Sequence, residues 1–216
     1  MQNYYANRNS FYSTISTTIY QSMIGKKLKH YNIILGSKSP RRKKLLNKLG
    51  VDFSIKTTQT KESYSKKLKG KDIAEFLSKN KADIISKKLR GNYLLITADT
   101  IVIQKSKILH KPKDLNEAKE ILNKLSGKKH RVITGFCIKS DRKEIISSSE
   151  TKVFFNKLTQ EEITYYINNM KPFDKAGAYG IQEWIGHIGV KKIEGSYNNV
   201  VGLPTSEVYQ KLNLFI

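Results

Sequence analysis

The chain has 216 residues, enough for one good-sized domain or two small ones with a substantial core. Apolar residues make up 38% and aromatic residues 10% of the sequence, which argues against wholesale disorder. No run approaches the roughly 18 apolar residues of a membrane helix, so no membrane association is expected. The single cysteine, Cys137, excludes a disulfide framework and a cysteine-rich zinc module, and it fits a reducing compartment such as the cytoplasm.

The formal charge of +22 raises the question of a nucleic-acid partner. Of the 40 basic residues, 34 are lysines and only 6 are arginines. Arginine recognises phosphates and bases better than lysine does. This composition therefore favours solvated surface charge over nucleic-acid binding. A basic surface still attracts smaller polyanions, including nucleoside triphosphates.

Residues 1–30 differ from the rest, because they contain no acidic residue and are rich in Ser, Thr, Tyr and Asn. We predict a disordered extension here and a single domain over residues 31–216. A transit-like leader that directs the chain to an organelle is the alternative, since such leaders are Ser-rich and acid-poor. The segment holds one arginine, Arg8, and no good cleavage site, which favours the extension.

Helices and strands alternate from residue 31 onward. Residues 33–36 predict a short buried strand, and Ser39 and Pro40 suit the cap and first position of a helix that Gly50 ends. Residues 51–55 predict a second strand and residues 56–70 a polar loop. Residues 72–89 have helical periodicity. The apolar positions expected to face inward in these two helices are Leu45, Leu46, Leu49, Ile73, Phe76, Leu77, Ile84 and Ile85.

The second half of the chain continues the mixed pattern. Residues 94–103 predict one long strand with a polar insert at 97–100, and residues 131–139 and 151–155 predict two more. Capping-box spacings at Asp114 and Glu117, and at Thr159 and Glu162, predict the starts of two helices. Residues 172–204 are rich in small residues and have no clear period. The first of these helices should turn Leu115, Ala118, Ile121, Leu122 and Leu125 inward. The pattern predicts an α/β or α+β fold.

Residues 36–42 join a strand to a helix and carry Ser37, Ser39, Arg41 and Arg42. Free backbone N–H groups at a helix start, with hydroxyls and guanidinium groups beside them, form an anion site that suits phosphate. The basic first turn opposes the helix dipole unless an anion offsets it. An ordinary capped helix is the alternative.

Asp99 lies between two apolar triplets of the long strand, where a buried carboxylate needs a cation, a metal or strong donors. Such a group could bind a metal or act as a general base, or it could be a strand-end residue bonded to a loop. Lys81 follows Leu77 by four residues and therefore faces inward, where it needs an anionic partner. In the run 174–182, Gln182 could read a base edge.

Several ordered pieces of this sequence resemble the Maf family of nucleotide pyrophosphatases. The matching pieces cover the chain from about residue 31 to its end, and they lie at residues 37–42, 98–102, 111–112, 125–127, 134–135, 174–182 and 195–204. The resemblance implies an α/β fold like that of the inosine-triphosphate pyrophosphatases, with a mixed sheet and two lobes around a central cleft. It implies hydrolysis of a nucleoside triphosphate to the monophosphate and pyrophosphate, with Mg²⁺ or another divalent cation such as Mn²⁺. A homodimer is also expected.

The resemblance also assigns residues. Asp99 matches the catalytic aspartate and a metal ligand, and Glu62 matches a second metal ligand, although its loop is unusually rich in lysine. The substrate-binding matches are Ser37, Ser39, Arg41, Arg42, Lys81, Thr100, Lys111 and Gln182.

Arg41, Thr100 and Gln182 resemble the subgroup that acts on dTTP and UTP, and possibly on modified pyrimidine nucleotides. Enzymes for 7-methyl-GTP tend to carry Trp and Glu at the first two of these positions. The loop 183–189 departs from the family pattern near the expected base pocket. Two other functions stay open: a 7-methyl-GTP pyrophosphatase and a non-catalytic protein that binds nucleotides or nucleic acid.

Overall fold

The computed structural model describes residues 21–60 and 63–216. Its centre is a mixed sheet in the order β2-β1-β3-β5-β6-β7, with β4 paired to β3. Strand β1 runs parallel to β2 and β3, whereas the other pairs are antiparallel. The strands are β1 (Asn32–Leu35), β2 (Ser54–Ile55), β3 (Tyr93–Gln104), β4 (Lys107–Leu109), β5 (Lys129–Lys139), β6 (Glu144–Phe155) and β7 (Val190–Glu194). The predicted mixed α/β fold is confirmed.

Helices flank this sheet, and α2 lies across β3 and β5. The α-helices are α1 (Pro40–Asn47), α2 (Lys71–Ser86), α3 (Leu115–Leu125), α4 (Gln160–Met170), α5 (Trp184–Gly189), α6 (Tyr197–Val201) and α7 (Thr205–Leu212). A π-helical turn at Gln21–Gly25 and 3₁₀ turns at Ala176–Ala178 and Asn213–Phe215 complete the described elements. In the described part of the chain, no helix is both long and apolar enough to span a membrane.

Local signals predicted the helix starts well. Ser39 caps α1, with Pro40 as the first helical residue, and Thr159 and Glu162 form a complete capping box on α4. At α3 the Asp114 carboxylate accepts a hydrogen bond from Glu117 N. The Glu117 carboxylate accepts from Lys113 N rather than from Asp114 N. That helix therefore has half of the predicted box.

Two apolar side chains were wrongly predicted to face inward. Phe76 of α2 is 41% exposed and Leu115 of α3 is 49% exposed. Phe76 lies on the edge of a stripe whose centre is formed by Ile73 and Leu77, and Leu115 is the first residue of its helix. Helical periodicity identifies the centre of the buried face of a helix, but it does not determine how many neighbouring side chains are buried with it.

The sheet also departs from the predicted strands. Only Ser54 and Ile55 of the segment 51–55 pair as β2, and both are exposed. Strand β6 begins at Glu144, well before residue 151, because its first half pairs with β5 through partly exposed positions whose two apolar residues, Ile145 and Ile146, are adjacent and give no alternation. The region 172–204 contains α5, β7 and α6, which are too short to show a period.

Two large apolar clusters form most of the core. One joins α3 and α4 to β3, β5 and β6, and the other joins β1, α1 and α7 to the opposite part of the sheet. Ile24 and Leu28 belong to the second cluster and are almost completely buried. The packed core thus includes residues before the predicted boundary at residue 31, and residues 1–20 of the predicted extension lie outside the described residues.

Candidate active site

A cavity of about 940 Å³ opens beside the middle of β3, between α1, α2 and the segment 174–182. This volume is in the range of pockets that hold small-molecule ligands. The predicted site residues that line it are Ser37, Ser39, Arg41, Arg42, Lys81, Asp99, Thr100, Lys111 and Gln182. The remaining predicted residue, Glu62, lies outside the described residues.

Asp99 is the buried acid of this cavity. It is 6% exposed in the middle of β3, opposite Gly135 of β5, and it forms an ion pair with Lys81. The Lys81 side chain comes from α2 and is 17% exposed, which confirms that it faces inward. A buried carboxylate is tolerated only with a partner of opposite charge, and Lys81 supplies that charge.

The start of α1 forms a second side of the cavity. Ser39 Oγ accepts from Arg42 N at 3.4 Å, and Ser37 Oγ accepts from Ser39 N at 3.2 Å, so both hydroxyls order this turn. No acidic residue lies in the first turn of α1, which therefore presents positive charge to the cavity.

The Arg42 guanidinium connects this turn to two distant segments. Its Nε donates to Gly202 O at 2.8 Å and its Nη2 donates to Thr100 Oγ1 at 3.0 Å. Thr100 Oγ1 also lies 2.9 Å from Thr134 Oγ1. Because a planar guanidinium bound at several positions is held in one orientation, Arg42 is a fixed cation of this wall.

Asn199 supports Thr134 from behind the cavity. Its Oδ1 accepts from Thr134 N at 3.1 Å, and its Nδ2 donates to Val132 O and to Thr151 Oγ1. The residue is fully buried. No site residue was predicted within residues 195–204, because no local signal joins residue 199 to a strand 65 residues away.

The segment 174–182 forms the remaining wall. Asp174 Oδ2 lies 2.6 Å from Arg41 Nη1, and Asp174 Oδ1 lies 2.7 Å from Lys175 Nζ. Partial burial acts to raise the pKa of Asp174, but the hydrogen bonds and charges of Lys175 and Arg41 together outweigh it and hold the pKa below its ordinary value. Gln182 lines the cavity on the same wall, and Lys111 lines it as an exposed residue after β4.

The carboxylates of the cavity determine how it could hold a metal ion. In residues 21–60 and 63–216, no group of three or more His, Cys, Asp or Glu side chains is arranged to hold a metal. The acids that line the cavity are Asp99 and Asp174. Mg²⁺ is commonly held by one or two carboxylates together with substrate phosphates and water, and a single buried carboxylate fits that mode.

His130 lies behind the wall and holds Tyr179, which lines the cavity. Its Nε2 is 2.7 Å from the Tyr179 hydroxyl, and the His130 side chain is 2% exposed. Burial lowers the pKa of His130 from 6.5 to about 4, because a charged imidazole has little solvation there. The ring is therefore neutral at pH 7.

We expect His130 to make the protein less stable as the pH falls from about 6.5 to about 4. In that range the unfolded chain binds a proton that the folded chain does not, so acid favours unfolding, by up to about 3 kcal/mol in total. Urea unfolding at pH 7 and pH 4.5 should show a smaller loss for His130→Gln than for the wild type. His187→Gln is the matched control, since His187 is exposed. Equal losses in wild type and His130→Gln would contradict this assignment.

Fold and cavity together define an α/β protein with a strongly cationic cavity around one buried acid. A sequence profile described as Maf-like protein matches residues 32–215. The chain belongs to the Maf family. It is 50% identical over 190 residues to a protein of Christiangramia forsetii named dTTP/UTP pyrophosphatase, covering 88% of this chain and 97% of that relative.

Two further relatives carry the same name. The protein of Flavobacterium johnsoniae is 45% identical over 194 residues, which cover 90% of this chain and 100% of the relative. The protein of Bacteroides thetaiotaomicron is 47% identical over 186 residues, which cover 86% of this chain and 96% of the relative. Each alignment spans almost the whole relative and most of this chain.

Proposed function

We propose that this protein is a nucleoside triphosphate pyrophosphatase that hydrolyses dTTP, UTP and modified pyrimidine nucleotides to the monophosphate and pyrophosphate. The observation that carries the proposal is one cavity in which the buried carboxylate of Asp99 lies among cations from separate elements, namely Arg42, Lys81 and Lys111. The relatives' shared name supports the choice of nucleotide.

The chemistry follows from this arrangement. A water molecule forms a bond to the α-phosphorus while the bond from that phosphorus to the α,β-bridging oxygen breaks, and pyrophosphate leaves with the electron pair. Asp99 orients the water and accepts its proton. Arg42, Lys81 and Lys111 offset the charge of the phosphates, and the start of α1 at Ser39 holds phosphate oxygens with its backbone N–H groups.

A divalent cation fits the donor set at Asp99. Asp99 would hold it together with phosphate oxygens of the substrate, and Glu62 is proposed as a second ligand from the resemblance alone. When bound, such an ion neutralises phosphate charge and polarises the phosphorus–oxygen bond.

Pyrophosphate release over a panel of triphosphates tests the function. With Mg²⁺ present, we expect dTTP and UTP to be hydrolysed faster than CTP, the purine nucleotides and 7-methyl-GTP. Products are identified by chromatography, because release of the monophosphate and pyrophosphate in equal amounts distinguishes cleavage at the α-phosphorus from loss of single phosphates. A preference for 7-methyl-GTP would contradict the role given to Arg41, Thr100 and Gln182.

Removal of divalent cations by a chelator tests the metal requirement of the reaction. Excess EDTA should lower the rate about a hundredfold or more, since the metal supplies several kcal/mol of charge stabilisation. Added Mg²⁺ or Mn²⁺ should restore it. Full activity in EDTA would contradict a metal-dependent reaction without affecting the choice of nucleotide.

Three further properties stay predictions. They are the division into an extension over residues 1–30 and a domain over residues 31–216, a cytoplasmic location and a homodimer.

A further inference from the structure

Glu183 lies behind the wall formed by residues 174–182 and contacts three side chains of that region. Its Oε1 is 3.1 Å from Lys175 Nζ and accepts from Gln182 Nε2 at 3.4 Å. Its Oε2 accepts from the hydroxyl of Tyr166 on α4. Lys175 and Gln182 line the cavity, whereas neither Glu183 nor Tyr166 does. The carboxylate thus connects the core to the cavity wall without facing the cavity itself.

Tyr166 fixes this carboxylate from the core side. The side chain is fully buried, and its hydroxyl accepts from Gly180 N at 3.0 Å while it donates to Glu183. Burial and the hydrogen bond to Glu183 both raise the pKa of Tyr166, so the hydroxyl keeps its proton. Removal of this hydroxyl would leave a buried backbone N–H and a carboxylate oxygen without their partner.

The carboxylate also determines which way the Gln182 amide points. An ionised carboxylate only accepts hydrogen bonds, so the amide group that faces it must be the NH₂ group and not the oxygen. Lys175 Nζ forms an ion pair with the same carboxylate at 3.1 Å. Gly180 leaves room for this contact, because a Cβ atom at that position would lie 2.7 Å from Gln182 Nε2 and 2.9 Å from Glu183 Oε1. The amide therefore has one orientation.

The other end of this amide is an acceptor without a donor. Gln182 lines the cavity, and its Oε1 is a buried atom with no hydrogen-bond partner within residues 21–60 and 63–216. A buried acceptor without a donor is unfavourable, so binding of a ligand that supplies an N–H group is favoured. Uracil and thymine carry an N–H at ring position 3, whereas cytosine has an acceptor at that position.

We propose that Glu183 is a positioning residue for base selection, which holds the Gln182 amide so that its oxygen accepts from the ring N–H of uracil or thymine and disfavours cytosine. The inference rests on the proposed function. Tyr166 and Lys175 hold Glu183 in turn. Sites built around a hydrogen bond to the ligand reject analogues that lack the matching group, because the buried partner is then left unpaired.

The experiment compares UTP with CTP in the full-length wild type, Glu183→Gln and the control Glu161→Gln. Glu161 is exposed in the first turn of α4, the helix that also carries Tyr166, so the control makes the same chemical change outside the network. A glutamine at 183 has an NH₂ group of its own and no longer fixes the Gln182 amide. We expect the ratio of kcat/KM for UTP over CTP to fall about tenfold in Glu183→Gln and to stay unchanged in Glu161→Gln.

Binding of α,β-methylene-UTP and α,β-methylene-CTP, measured by calorimetry, separates this inference from the proposed function. If the wild type binds the uridine analogue more tightly, and Glu183→Gln loses that preference, the inference stands even if no pyrophosphate is released. If the wild type hydrolyses UTP but Glu183→Gln keeps the wild-type preference, only the inference fails. If the wild type binds neither analogue, both fail.

Tyr166→Phe is the second variant, because it keeps the packing and removes only the hydroxyl that holds Glu183. Its UTP preference should fall in the same direction as that of Glu183→Gln. Equal loss of activity on UTP and CTP, with an unchanged ratio, would assign the network a purely structural role and overturn the proposal. Failure of both variants to fold, judged by circular dichroism, would overturn it as well.

Discussion

Replacement of Asp99 by asparagine should lower the rate of dTTP hydrolysis by about 10²–10³. Asparagine keeps the size of the side chain, but it neither accepts a proton from water nor attracts a divalent cation. It also removes the partner of Lys81, whose side chain is only 17% exposed and which then lies in the cavity without its ion pair. The loss should appear mainly in kcat, because the carboxylate acts in the bond-breaking step rather than in holding the base.

The matched control for this variant is Asp141→Asn, which changes the same group in the turn between β5 and β6. The side chain of Asp141 is 51% exposed and its nearest cation is Arg142 at 3.6 Å. Its substitution should leave the rate unchanged. Rates are measured as pyrophosphate release at saturating Mg²⁺, with circular dichroism to confirm folding. Near wild-type turnover by Asp99→Asn would mean that another group activates the water.

The features of the site that are determined by neighbouring residues in the chain were predictable from the sequence. A serine cap with proline at the first helical position specifies the start of α1, and helical spacing from Leu77 specifies that Lys81 faces the sheet. The polar insert in an apolar strand marked Asp99 as a residue that needs a partner. In each case the physical cause lies within a few residues of the signal.

The hydrogen bonds that hold the cavity wall from the core side were not predictable in this way. The hydrogen bonds of Asn199 reach a strand 65 residues earlier, and Tyr166 is separated from Glu183 by 17 residues and a change of element. Such contacts depend on how the elements pack, which a single sequence does not specify. Strand β7 was missed for a related reason, because its five residues alternate too weakly between half-buried and exposed positions to show a strand period.

Packing of α2 against the sheet is what brings Lys81 to Asp99. Gly135 of β5 lies opposite Asp99 of β3, and α2 passes directly over it. A Cβ atom at position 135 would lie 2.3 Å from both C and O of Ala74, and 2.5 Å from Glu75 N. These are backbone atoms, so no change of side-chain conformation relieves the overlap, and the helix would have to move away from the sheet.

Gly135→Ala should therefore destabilise the protein by about 3 kcal/mol, the upper part of the range for overpacked cores, and lower its melting temperature by about 10 °C. The displaced helix carries Lys81 with it, so activity on dTTP should fall even where the variant is folded. Gly189→Ala is the control: its Cβ would meet side chains and no backbone, namely Leu158 at 3.2 Å and Ile185 at 3.7 Å, and these side chains can adjust. If Gly135→Ala unfolds at the same urea concentration as the wild type, the close approach of α2 does not hold the ion pair in place.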